Sequence, residues 1–131
     1  MRDLITENNA DLGRFWGRFL ERHGCVVTLA TTQKEAIAAM RFEEFDALVI
    51  DLVLPDGGAI ALSDYASYRY PEIPIITVTS STFFSDGSLF RLMPNARGVM
   101  RPPFRPDDLA ALLEHCVSSP QNGVQTKATT A

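Results

Sequence analysis

The sequence predicts a doubly wound α/β domain, a five-stranded parallel sheet of order 2-1-3-4-5 with helices on both faces. Three observations carry this. Short apolar runs alternate with helical stripes along most of the 131 residues. The run Ala47–Ile50 is continuously apolar, as in a strand buried on both faces. Asp51 then closes that run, at the strand end where open α/β sheets hold their ligands. Right-handed crossovers leave few other topologies at this length, and 2-1-3-4-5 is a common one.

The first strand is expected over Leu4–Thr6. Leu12, Phe15, Trp16, Phe19 and Leu20 recur at helical spacing and predict one core-facing stripe, with Trp16 and Phe19 in the packing. Gly24 ends that helix, after Arg22 and His23 in a last turn whose dipole suits positive charge. Cys25–Leu29 is rich in β-branched residues and predicts the second strand. Thr32-Gln-Lys-Glu35 has the spacing of a capping box and opens a helix carrying Ala36, Ile37 and Met40. The third strand is expected over Asp46–Asp51, followed by a turn at Gly57-Gly58, with Asp56 as a turn residue.

A third helix should run from Ala59 to Tyr70, ahead of Pro71, and a fourth strand over Pro74–Val78. The stretch 80–94 suggests one short helix, and Gly98–Arg101 a fifth strand. The last helix starts at Pro106, a favoured first position, with Asp107 and Asp108 in its first turn and Leu109, Leu112, Leu113 and Cys116 on its apolar side. The expected division is a folded domain over 1–117 and a polar, flexible tail or linker over 118–131.

The bulk numbers exclude several classes. A net charge of −4 argues against a nucleic-acid surface. No apolar run approaches the roughly 20 residues of a membrane span, and no signal-peptide pattern opens the chain. Cys25 and Cys116, far apart in apolar surroundings, are expected as buried reduced thiols, which fits a cytoplasmic setting. His23 and His115 sit near helix ends and suit dipole partners or solvated groups. The glycines match neither nucleotide fingerprint.

The predicted order brings Glu7, Asn8 and Asp51 into one cleft. An acidic position follows strand one, Asp51 ends strand three with Leu54-Pro55-Asp56 after it, Thr79 ends strand four, and Pro102-Pro103-Phe104 follows strand five. Taken together, these residues resemble the receiver (CheY-like, flavodoxin-like) domain of bacterial two-component response regulators, over about residues 2–117. The resemblance implies a signalling module rather than an enzyme. Asp51 would be the phosphoacceptor, supplied by a sensor histidine kinase or a phosphotransfer protein. Glu7, Asn8, Asp51 and the Val53 backbone carbonyl would hold Mg2+, and Thr79 would be the switch hydroxyl. Pro103 would follow a cis peptide bond. A downstream protein partner, or a homodimer, would use about residues 84–116, where Phe83, Phe84, Leu89 and Phe90 supply apolar area.

Three positions depart from the family pattern. Asn8 stands where an acid is usual, Pro102 where a lysine is usual, and Val99 where a switching aromatic is usual. Arg101 is adjacent, but neighbouring strand residues point to opposite faces. Two classes of function therefore stand side by side. One is a phosphoacceptor; the other is a degenerate receiver acting as a phosphorylation-independent binding module. A flavin enzyme of the same fold is disfavoured, because residues 7–12 lack a hydroxyl- and glycine-rich phosphate cradle.

Overall fold

The computed structural model describes residues 1–56, 58–79 and 90–118. Five strands, β1 (Arg2–Thr6), β2 (Val26–Ala30), β3 (Ala47–Asp51), β4 (Ile75–Val78) and β5 (Ala96–Met100), form one parallel sheet in the order β2-β1-β3-β4-β5. The connecting helices are α1 (Ala10–Arg22), α2 (Gln33–Phe42) and α3 (Ala59–Arg69), and α4 (Pro106–Ser118) follows β5. The expected fold and strand order are those observed. Most of the helix expected within 80–94 lies outside the described residues.

Alternation along the strands divides the core in two. Leu4, Leu48, Ile50 and Ile75 face α2 and α3, where Met40, Leu62 and Ala66 meet them. Ile5, Val49, Ile76 and Val78 face the opposite layer, where α1 and α4 supply Trp16, Leu20, Leu109 and Leu113. At two places a helix lies close to the sheet. A Cβ on Gly17 would stand 3.3 Å from Val27, and one on Gly98 would stand 2.7 Å from a Leu112 methyl.

Two helix starts have a local side-chain cap. Asn9 caps α1, its Oδ1 accepting from the Leu12 N–H at 3.1 Å. Thr32 caps α2 as the sequence indicates, its Oγ1 accepting from the Glu35 N–H at 3.1 Å. Glu35 reaches back one residue further than a standard capping box, to the Thr31 N–H at 2.8 Å and the Thr31 hydroxyl at 3.0 Å. At the end of α1, Gly24 takes a φ of +89°, the left-handed cap conformation glycine adopts without strain. The His23 ring nitrogen lies 3.1 Å from the Phe19 carbonyl in the last turn.

Three local expectations need correction. Phe15 is 57% exposed rather than packed, because the buried side of α1 is narrower than its apolar stripe and centres on Trp16 and Leu20. Cys25 is only partly buried, since it precedes β2, an edge strand, and Cys116 is the fully buried thiol. β5 begins at Ala96, two residues early, because an irregularity in its register lets it pair with Ile75.

Candidate functional site

The C-terminal ends of β1, β3, β4 and β5 open onto one side of the sheet. Thr6 pairs with Ile50, so the next residues on each strand, Glu7 and Asp51, emerge beside one another at the switch point. Asp51 pairs with Val78 and Val78 with Met100, which brings Thr79 and the chain after β5 to the same edge. The Thr79 N–H donates to the Met100 carbonyl at 3.1 Å, and the Thr79 side chain is buried.

Asp51 is held by backbone donors from two loops. Its Oδ1 accepts from the Val53 N–H at 2.9 Å, and its Oδ2 lies 3.4 Å from the Asn8 N–H. Asp51 itself stays partly exposed at the mouth of the cleft. Glu7 is buried, and its Oε2 accepts from the Asn9 N–H at 3.0 Å. Burial pushes the Glu7 carboxyl up to about 7; the Asn9 N–H opposes this, while the shared hydrogen bond and the charge of Asp51 add to it. Two neighbouring carboxyl groups offer oxygen ligands of the kind a hard cation takes.

Position 8 carries an amide, and its side chain is exposed, so Glu7 and Asp51 are the two carboxylates here. Among the described residues no cluster of three or more acidic, His or Cys side chains suitable for a metal occurs. Hard oxygen donors suited to magnesium remain: Glu7, Asp51, the Asn8 amide and the Val53 carbonyl. Magnesium ordinarily binds through one or two carboxylates and keeps several waters, so this donor set fits it with less charge than three acids would give.

Beyond β5 the Pro102–Pro103 peptide bond is cis, the conformation expected at Pro103. Phe104 then stacks on Trp16, ring centroids 5.3 Å apart, which ties this loop to α1. Pro102 is exposed and brings no cation, and Lys34, on α2, is exposed. Val99 is partly buried against the α2–α3 layer. Phe90 is 41% exposed, whereas Phe83, Phe84 and Leu89 lie outside the described residues. Asp56 makes contacts that local sequence reading missed: its carboxylate accepts from backbone N–H groups of α2 rather than only closing its own turn.

A family model, the response regulator receiver domain, matches residues 4–114. The chain belongs to the response regulator receiver family. It is thus a receiver domain of two-component signalling, a class that works with histidine kinases or phosphotransfer proteins and with output domains, and that generally binds magnesium. The chain is 30% identical over 124 residues to the transcription factor SKN7 of Candida albicans, covering 93% of this chain and 22% of that protein. It is 24% identical over 115 residues to the response regulator SaeR of Staphylococcus aureus, covering 88% of this chain and 50% of SaeR. This receiver therefore spans half or less of these curated relatives. Among solved structures, a CheY-like receiver domain protein from Methanospirillum hungatei superposes with a TM-score of 0.83 at 26% identity, covering 92% of this chain and 96% of that one. The non-phosphorylated HemR receiver domain of Leptospira biflexa gives 0.78 at 28% identity, covering 89% and 94%. No described helix of this receiver is long and apolar enough to cross a membrane.

Proposed function

We propose that this receiver accepts a phosphoryl group on Asp51 from a phosphohistidine of a sensor kinase or phosphotransfer protein, and then changes its affinity for a protein partner. The observation that carries the reading is the pairing of a partly exposed Asp51 with a buried Glu7 at the sheet switch point. A carboxylate oxygen of Asp51 attacks phosphorus, a P–O bond forms, and the P–N bond to the donor imidazole breaks. The imidazole nitrogen leaves with the electron pair and takes a proton. The Val53 and Asn8 N–H groups hold Asp51 in place for attack. Thr79 stands at the neighbouring strand end, where its hydroxyl would meet a phosphoryl oxygen. Glu7, Asn8, Asp51 and the Val53 carbonyl would hold magnesium, which when bound neutralises phosphoryl charge. The folded receiver would cover residues 1–117, with 118–131 as a tail, in a cytoplasmic protein. The downstream partner, or a second copy, would meet about residues 84–116, where Phe90 and Leu92 are exposed.

Asn8, Pro102 and Val99 favour a second reading, a binding module that works without phosphate. Beryllofluoride with magnesium, followed by amide chemical shifts in wild type and Asp51→Asn, separates the two. Shifts at Asp51, Thr79 and residues 99–104 that vanish in the variant support phosphoacceptance. A wild type that matches the variant at saturating beryllofluoride supports the binding module.

A further inference from the structure

Asp56 belongs to the loop that carries Asp51 and Val53, yet its carboxylate serves a different element. Its Oδ1 accepts from the Gln33 N–H at 3.1 Å and its Oδ2 from the Lys34 N–H at 3.3 Å, the first two N–H groups of α2. Thr32 takes only the third, from Glu35. The unsatisfied donors that open every helix are thus divided here between a local cap and a residue 22 to 23 positions away. These bonds are charge-assisted, and the carboxylate sits at the positive end of the α2 dipole.

A second contact joins the same two segments. A Cβ built on Gly58 would stand 2.0 Å from the Gln33 side-chain oxygen and 2.3 Å from its Cδ. The Gln33 amide thus fills the space that any other residue at 58 would claim. Asp51 and Val53 are therefore joined to each other by a hydrogen bond, and Asp56 and Gly58 lie against the first turn of α2.

We propose that Asp56 is a positioning residue that joins the Asp51 loop to the first turn of α2, so that the geometry around Asp51 and the order of α2 depend on each other. This supplies a route from the site to the α2 face that does not pass through position 99, where Val99 replaces the usual aromatic. Its use in signalling rests on the reading of Asp51 given above; the mechanical link does not.

The test uses the full chain without magnesium or phosphodonor, so the result does not depend on whether Asp51 is phosphorylated. Amide exchange and 15N order parameters are compared for wild type, Asp56→Ala, Asp56→Asn and Thr32→Ala. In Asp56→Ala the Gln33 and Lys34 amides should exchange about tenfold faster, as for loss of a helix cap. The order parameter of Val53 should fall from about 0.85 toward about 0.6. Asp56→Asn keeps one acceptor oxygen and should restore part of both, which also covers the case in which the alanine variant folds poorly. Thr32→Ala should free Glu35 and leave Val53 unchanged. The proposal is overturned if Asp56→Ala frees Gln33 and Lys34 while Val53 stays rigid. It is equally overturned if Thr32→Ala loosens Val53 as much, since the effect would then be general helix weakening.

Discussion

Asp3 lies near the start of β1, paired with Val27 of β2 on one side and Ala47 of β3 on the other, and is fully buried. Neither carboxylate oxygen has a conventional hydrogen-bond partner among the described residues. Burial raises its pKa from 3.8 to about 6; the weak thiol donor of Cys25 and the N-terminal ammonium oppose this, and the charge of Asp46 adds to it. Here the folded pKa of an acid lies above its unfolded value, opposite to a salt-bridged carboxylate. Below pH 3.8 both states are protonated and Asp3 costs nothing. Between 3.8 and about 6 the unfolded chain releases the proton first, so stability falls as pH rises. Above about 6 the loss is complete. At about 1.36 kcal/mol per pKa unit, the ionised group then costs about 3 kcal/mol. Asp3→Asn carries a neutral side chain of similar size and removes this dependence. Urea unfolding at pH 4.5 and pH 8 should show the variant gaining on wild type by about 2 kcal/mol between the two pH values, a midpoint change of about 1 M. The Cys25 thiol, pushed up to about 11 by burial and then by the Asp3 charge, should titrate lower in the variant and react faster with a disulfide reagent at pH 8. A stability difference that stays flat from pH 4.5 to 8 would refute this account of Asp3.

Three further outcomes follow from the site and the core. Asn8→Asp restores a third carboxylate to the cleft and should tighten magnesium binding by about tenfold, read from amide shifts on titration. Pro102→Lys returns a cation to the loop after β5 and should raise the yield of aspartyl phosphate from a small phosphodonor, read by intact mass; an unchanged yield would mean that position 102 does not reach the phosphoryl group. Gly98→Ala places a methyl 2.7 Å from Leu112 and should destabilise the β5–α4 contact by about 1 to 3 kcal/mol in urea unfolding.

Much of this was legible in the sequence because it rests on local signals. The apolar run ending at Asp51 and the alternation of strand and helix patterns indicate the parallel sheet, and the order common at this length brings Glu7 beside Asp51. Features that depend on a distant partner were not legible. Asp56 looks like a turn residue until the crossover places α2 beside it. Phe15 looks like core until the packing of α1 shows which side Trp16 occupies. The start of β5 depends on an irregular pairing with β4 that no pattern within β5 announces. Asp3 fell just outside the strand expected at Leu4, and an aspartate is usually exposed, so its burial had no local signature.

The central claim is that Asp51 accepts phosphate from a nitrogen–phosphorus donor despite Asn8 and Pro102. Phosphoramidate with magnesium, read by intact mass on the full chain beside Asp51→Asn, tests it most directly. The account predicts a gain of one phosphoryl group, labile to alkali and to hydroxylamine, in wild type and none in the variant. An equal gain in Asp51→Asn, or none in either protein under conditions that phosphorylate a working receiver, would contradict it.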